Sequence, residues 1–177
     1  MIIVIKRVLF LVVLLSSMVY ANERVLINVI NNVSIPNVQK TIDDANILKN
    51  ELNEKNFTNF LKSWKKVEAL YLAGDLDEDY LDTPRYMDVF NNLKEDLNSQ
   101  MKMVIESKDD AKTALFKNSF KTINALEYMI FNDNEISKRE KELSIVILNS
   151  MISHLEEIKT VYETYLLKPT KDEKWEN

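Results

Sequence analysis

The chain has 177 residues, a formal net charge of −5 and no cysteine. One glycine and three prolines are far too few for a turn-rich β fold, so the composition indicates an all-α protein. The lack of cysteine excludes disulfides and thiolate metal sites, and an acidic chain without a basic stripe argues against nucleic acid or anionic lipid as partners.

The N-terminus has the pattern of an export signal. Lys6 and Arg7 precede an apolar run over residues 8–20, and Ala21 follows as a small residue suited to cleavage. We therefore expect residues 1–21 to be a cleaved signal peptide and the mature protein to be periplasmic, without stable membrane insertion. The alternative is a membrane anchor formed by an uncleaved N-terminal helix, because residues 1–5 could lengthen the apolar run.

Apolar residues recur at helical spacing along most of the remaining chain. We expect a short packing helix within residues 22–32, which Ile35 and Pro36 would terminate. The pattern then predicts helices over residues 36–53, 56–72, 83–104, 107–132 and 135–167. Short connections favour antiparallel neighbours, so we expect an up-down bundle of four to five antiparallel helices, followed by a frayed tail over residues 168–177.

An acidic segment follows the second of these five helices. Its carboxylates are Asp75, Asp77, Glu78, Asp79 and Asp82. Their spacing lacks the glycine and the bidentate glutamate of a calcium-binding EF-hand loop. We interpret the segment as a solvated loop that also caps the next helix.

The helix predicted over residues 107–132 carries a polar pair within its apolar stripe. Glu127 would lie on this face among Phe116, Phe120, Ile123 and Ile130. Asn124 would lie at the edge of the same face. Burying a carboxylate is costly unless a partner offsets the cost. We therefore expect Glu127 to bind a ligand, to form a structural ion pair, or to accept a hydrogen bond from a buried tyrosine such as Tyr71, Tyr80 or Tyr86.

A second inward glutamate is expected on the helix over residues 56–72. Glu68 follows Trp64 by four residues and would face the same interior. If the two helices pack side by side, Glu68, Asn124 and Glu127 would offer oxygen ligands suited to a hard cation or to iron. The alternative for Glu68 is a place at the edge of the stripe, paired with Lys65 or with a backbone group.

Arg85 lies at the start of the next predicted helix. It is a candidate counter-ion for Glu68 or Glu127. Its guanidinium could also hold a carboxylate ligand through two parallel hydrogen bonds.

His154 is the single histidine of the chain. This count excludes a His-Glu-x-x-His zinc site and the Glu-x-x-His pairs of di-iron bundles, and it leaves a catalytic triad only if His154 serves in it. His154 lies on an apolar helical face. Such a residue is commonly a hydrogen-bonded core or boundary residue, and the alternative is a ligand supplied from a separate helix.

Residues 120–131 resemble the signature of the imelysin family, also called the imelysin-like peptidase family. That signature is Gly-x-His-x-x-Glu followed by an aromatic residue and an apolar run. Thr122, Asn124 and Glu127 occupy its three positions, so the glutamate matches while the glycine and the histidine are replaced. Trp64 and Glu68 resemble a tryptophan and glutamate segment on an earlier helix of the family, and residues 82–90 resemble the element that follows its acidic loop.

The resemblance implies an imelysin-like helical domain over residues 22–167, about one of the two helical bundles in longer relatives. It also implies an association with iron uptake, so iron is the metal suggested by analogy. The peptidase activity in the family name becomes the third interpretation, because an asparagine carbonyl is a far weaker ligand than imidazole.

Two interpretations of the function are preferred to a peptidase. The first is an exported, non-catalytic imelysin-like helical protein that binds a metal ion or small ligand in a pocket between helices. Its metal ligands would be Glu68, Asn124 and Glu127, and Trp64 and Arg85 would contact the bound ligand. The second is an envelope protein that binds a protein partner and whose pocket is vestigial.

Overall fold

The computed structural model describes residues 23–88 and 96–167, and within them every regular element is helical. This confirms the predicted all-α class. The helices are α1 (residues 23–29), α2 (Ile35–Asn50), α3 (Glu54–Ala69), α4 (Ala73–Leu76), α5 (Thr83–Met87), α6 (Leu97–Glu106), α7 (Ala111–Ala114), α8 (Ile123–Phe131) and α9 (Lys138–Leu166).

The core of the bundle is formed by three long helices. α2 packs against both α3 and α9, and the shorter helices α4 to α8 pack around α9. The 29-residue α9 buries an apolar stripe that includes Leu143, Ile147, Met151, Leu155 and Ile158. Full burial of such a side chain stabilises the fold by about 1.5–3 kcal/mol, so α9 is the main organiser of the core.

The chain enters α2 without a break. Residues 23–29 are helical, Ile30–Ser34 form a π-helical segment, and α2 begins at Ile35. The prediction that Ile35 and Pro36 terminate the preceding helix is therefore wrong. Pro36 occupies the first turn of α2, where the missing N–H has little cost, and the wider π turn lets the two helices join.

The predicted continuous helix over residues 107–132 is also wrong. The chain forms α7, a 3-10 segment at Asn118–Lys121 and then α8. Thr122 is extended, with φ −97° and ψ 166°, and its hydroxyl accepts a hydrogen bond from Ala125 N at 3.4 Å. Because a capping threonine starts a new helix here, the helical register of Phe116 and Phe120 does not continue into α8.

The acidic segment lies between α3 and α5. It includes α4 and a 3-10 turn at Glu78–Tyr80. Its five carboxylate residues are all exposed, which confirms that the segment is solvated: Asp75, Asp77, Glu78, Asp79 and Asp82. Asp82 precedes α5 without a side-chain cap, so the predicted capping role is wrong for this residue.

Several predicted elements lie outside the described residues. These are the signal peptide over residues 1–21, the tail over residues 168–177 and the middle of the helix expected over residues 83–104, of which α5 and α6 are described. Among the described helices, none combines the length and apolar character needed to cross a lipid bilayer.

Candidate functional site

Asn124 and Glu127 are exposed on the outer face of α8. The buried face of this nine-residue helix is formed instead by Ile123, Leu126, Met129 and Ile130, together with Ala125. The predicted burial of Glu127 is wrong because the helical register of Phe116 and Phe120 ends at the break at Thr122. No buried tyrosine or counter-ion is needed for a carboxylate that water already solvates.

Glu68 and Arg85 have their charged groups engaged at the surface. Lys65 Nζ lies 2.8 Å from Glu68 Oε2 and also pairs with Asp88. These hydrogen bonds, first to Asp88 and then to Glu68, raise the pKa of Lys65. Arg85 Nη1 lies 3.2 Å from Asp82 Oδ1, and both side chains are mostly exposed.

These contacts answer two of the questions about pairing that the sequence left open. The pairing of Glu68 with Lys65 is confirmed, and the expected ion pair between Arg85 and an inward glutamate is wrong. In each case the partner is close along the chain, three residues away. Such local pairs form on a helix surface without any enclosed site.

Trp64 lies in the core of the bundle. Its side chain is fully buried, and its Nε1 has no hydrogen-bond partner among the residues that the structure describes. The predicted proximity of Trp64 to an enclosed set of polar ligands is therefore not found, since Asn124, Glu127 and Arg85 are exposed.

Within residues 23–88 and 96–167, no group of three or more His, Cys, Asp or Glu side chains is arranged to hold a metal ion. The roles proposed for Glu68, Asn124 and Glu127 as metal ligands remain predictions.

The buried carboxylates of the described residues are Glu140 and Asp44. Glu140 Oε2 accepts a hydrogen bond from Ser137 N at 2.7 Å, and its Oε1 accepts one from Asn132 Nδ2 at 2.8 Å. Asp44 pairs with Lys40 one helical turn earlier. Both carboxylates are therefore satisfied by structural partners.

A small polar cavity lies where three helical segments meet. α5, the 3-10 segment at Asn118–Lys121 and α9 all pack against one another. The cavity has a volume of about 290 Å³ and is lined by Tyr86, Asn118, Lys121, Ser150 and His154. Each segment therefore contributes at least one hydrogen-bonding side chain.

His154 is held in place by two neighbours. Its ring stacks on that of Tyr86, with centroids 5.6 Å apart and planes inclined by 21°. Its Nδ1 lies 3.2 Å from Glu157 Oε2, one turn further along α9. His154 was interpreted either as a core or boundary residue or as a ligand from a separate helix. Its half-buried position fits a boundary residue that faces a cavity.

Three of the cavity residues have polar side chains that the described residues leave unpaired. Within the described residues, the side chains of Asn118, Lys121 and Ser150 form no hydrogen bond or ion pair with the protein. Ser150 precedes His154 by one helical turn, but no hydrogen bond joins the two side chains. The arrangement therefore offers binding groups and lacks the contact between nucleophile and base that activates a serine.

Sequence reasoning singled out His154 and missed Asn118, Lys121 and Ser150 as site residues. Ser150 and His154 are four residues apart, so the sequence predicts that they lie on the same face of one helix. The sequence does not predict that Asn118 and Lys121 approach that face, because their position depends on the break between α7 and α8.

These features define an all-α helical bundle with a small polar cavity between three helical segments. The family model for imelysin matches residues 36–174. The chain therefore belongs to the imelysin family, as the resemblance in its sequence predicts. The alignment of Asn124 with the histidine of the family signature remains a prediction. No curated protein and no solved structure matched the chain.

Proposed function

We propose that this chain is an exported, non-catalytic member of the imelysin family that binds a small ligand in the cavity between α5, the 3-10 segment and α9. One observation carries the proposal. Three separate segments converge on a cavity of about 290 Å³, lined by side chains with hydrogen-bonding groups. Small-molecule sites are typically concave and carry a few convergent polar groups.

The non-catalytic part of the proposal is supported by two arrangements. Asn124, which we align with the histidine of the family signature, is exposed and has no imidazole to ligate a metal. Ser150 and His154 share the cavity without a hydrogen bond between them. Ligand binding requires neither a metal ligand at Asn124 nor an activated Ser150.

A pair of serines on α9 provides the test. Ser150 lines the cavity, whereas Ser153 is exposed and lies outside it. Ser150→Tyr would fill the cavity, and Ser153→Tyr adds the same side chain elsewhere on the helix. The protein, secreted from cells that express the full chain, would be screened by thermal unfolding against sugars, amino acids, amines, organic acids, inorganic anions and metal salts.

We expect at least one compound to raise the Tm of the wild type and of Ser153→Tyr, and to leave the Tm of Ser150→Tyr unchanged. A compound that stabilises all three proteins equally would place binding elsewhere and contradict the proposal. No stabilisation of the wild type by any compound class would also contradict it.

Export is tested separately by the N-terminus of the secreted protein. We expect mass spectrometry to find a chain that begins at Asn22, because the small residue Ala21 suits signal peptidase. An intact Met1 in a membrane fraction would instead support the anchored alternative.

Metal binding at Glu68, Asn124 and Glu127, with iron suggested by family analogy, is kept as a separate proposal. Equilibrium dialysis against Fe(II), Fe(III), Zn(II) and Cu(II) tests it, with Glu127→Gln as the comparison. Metal that the wild type retains and Glu127→Gln loses would support these ligands. Absence of retained metal in the wild type would rule them out. The envelope protein partner also remains a prediction.

A further inference from the structure

We infer that the cavity lined by Lys121 and His154 binds a small oxyanion, that is, a compound that presents a carboxylate or phosphate group. The inference rests on the ligand-binding function proposed above and names the chemical class of the ligand. Four features of the cavity carry it: the sign of its charge, its hydrogen-bond donors, the fixed histidine ring and its size.

The cavity is locally cationic in an acidic chain. Lys121 Nζ has no carboxylate within ion-pair distance among the described residues, and no carboxylate lines the cavity. The formal net charge of the whole chain is −5. An unpaired ammonium group at this cavity attracts an anion and repels a metal ion or an amine.

The lining side chains can together donate several hydrogen bonds to an anion. Lys121 offers an ammonium group, Asn118 an amide NH₂ and Ser150 a hydroxyl. Hydrogen bonds from a charged donor to a carboxylate or phosphate are stronger than those between neutral groups. Lys121 is therefore the principal anchor, and the amide and hydroxyl would orient the ligand.

The ring of His154 is held so that one of its nitrogens can also donate a hydrogen bond to an anion. Glu157 engages Nδ1 and Tyr86 stacks on the ring face, so Nε2 is the ring nitrogen left for another partner. In the imidazolium form both nitrogens are donors. Nδ1 then donates to Glu157, and Nε2–H can donate to an oxyanion. Glu157 thus acts as a positioning residue for His154.

The volume restricts the size of the ligand. About 290 Å³ lies at the lower end of the range for small-molecule sites, roughly 300–1,000 Å³. This space suits a phosphate ion or a short organic acid. A nucleotide or a peptide would extend out of this partly open cavity.

The test is isothermal titration calorimetry of the secreted protein at low ionic strength, in a buffer free of phosphate and carboxylates. The probes are inorganic phosphate, malonate, glycerol as a neutral compound and tetramethylammonium as a cation. The variants are Lys121→Gln, Lys121→Arg, His154→Gln, Ser150→Tyr and Lys102→Gln. Lys102 is exposed on α6 and lies outside the cavity. Lys102→Gln therefore serves as the control, because it changes the net charge as Lys121→Gln does without altering the cavity.

We expect phosphate or malonate to bind, and whichever binds identifies the oxyanion. Lys121→Gln should weaken that binding about tenfold or more, because it removes a charge-assisted hydrogen bond. Lys121→Arg should retain most of the affinity, and Lys102→Gln should leave it unchanged. His154→Gln, which keeps a donor without the ring, should weaken binding less than Lys121→Gln does.

Three results would overturn the inference, and they separate it from the ligand-binding function itself. Binding of glycerol or tetramethylammonium alone, abolished by Ser150→Tyr, would leave the function intact and show that the ligand class is wrong. Equal weakening by Lys102→Gln and Lys121→Gln would show that only the overall charge matters. Failure of all four probes in the calorimeter, with stabilisation by another compound class, would also reject the oxyanion.

Discussion

Ser137 and Glu140 satisfy each other's backbone N–H groups at the start of α9. Glu140 N donates to Ser137 Oγ at 3.2 Å, and Ser137 N donates to Glu140 Oε2 at 2.7 Å. This reciprocal capping box fixes the first turn of the longest helix in the described residues. Asn132 Nδ2 donates a second hydrogen bond to the Glu140 carboxylate and so connects α9 to the end of α8.

We predict that Glu140→Gln lowers the free energy of unfolding at pH 7 by about 1–2 kcal/mol, because it removes the charge from this hydrogen-bonded carboxylate. Burial opposes ionisation of Glu140, but the hydrogen bonds from Ser137 and Asn132 outweigh it and lower the pKa. The stabilisation is therefore present above the unfolded-state pKa and is lost as the pH falls through the lower folded-state pKa.

Urea unfolding at pH 7 and near pH 3 measures this effect. The difference between wild type and Glu140→Gln should shrink at the lower pH. Glu142→Gln is the control, since Glu142 is exposed on the same turn and should change stability by less than about 0.5 kcal/mol. A pH-independent difference would contradict the assignment of the carboxylate charge.

Ser144 gives a second prediction because its buried hydroxyl has no hydrogen-bond partner in the described residues. Ser144→Ala should raise the free energy of unfolding by up to about 1 kcal/mol, since it removes an unsatisfied polar atom and improves helix propensity. Ser63 is the matched control: it is also buried in a helix, but its hydroxyl donates to Phe60 O at 2.9 Å.

Ser63→Ala gains the same helix propensity but loses a hydrogen bond, so it should be less favourable than Ser144→Ala. Chemical denaturation measures the change in the free energy of unfolding for the two variants. Equal changes for both would mean that the hydroxyl of Ser144 is satisfied in solution.

Tyr162 ties the last turns of α9 to the segment after α3. Leu72 N donates to Tyr162 Oη at 3.1 Å, and the side chain of Tyr162 is almost fully buried. Tyr162→Phe leaves that backbone N–H without its partner, so we expect a loss of about 1–3 kcal/mol in the free energy of unfolding.

Tyr128→Phe serves as the control for this change. Tyr128 is half-buried on α8 and makes no hydrogen bond within the described residues. Its substitution should be nearly neutral in thermal unfolding. A neutral Tyr162→Phe would show that water replaces the tyrosine at Leu72.

Gly74 allows a close approach of α4 to the following turn. A Cβ atom at this position would lie 2.8 Å from Leu81 Cα and 3.3 Å from Leu81 Cδ1. Gly74→Ala should therefore destabilise the protein by about 1–3 kcal/mol, because backbone atoms must shift. Thermal unfolding measures the loss.

The double variant Gly74→Ala with Leu81→Ala separates the two contacts. Removal of the Leu81 side chain should not restore stability, because the closest contact is with its backbone. Full recovery would show that the side chain alone causes the clash.

The exposed position of Glu127 gives the last prediction. Glu127→Gln and Asn124→Ala should each change the free energy of unfolding by no more than about 0.5 kcal/mol, as surface substitutions usually do. Chemical denaturation at pH 7 checks both. A loss above about 2 kcal/mol for Glu127→Gln would indicate a buried, partnered carboxylate and restore the interpretation based on the sequence.

Much of the architecture could be predicted from the sequence. Scarce glycine and proline and a helical apolar period identify the class, and α2, α3 and α9 agree with prediction to within a few residues at each end. The capping box of α9 was not predicted, although Ser137 and Glu140 have the required spacing. Such features depend on interactions between residues close along the chain.

The site depended on contacts that local patterns do not encode. A restart of the helix at Thr122 turns Asn124 and Glu127 toward water, although their spacing fits a buried stripe. The same break brings Lys121 to the side of α9 that carries His154. Periodicity defines the faces of one helix, whereas the packing of separate segments selects which face is covered and which side chains meet across a cavity.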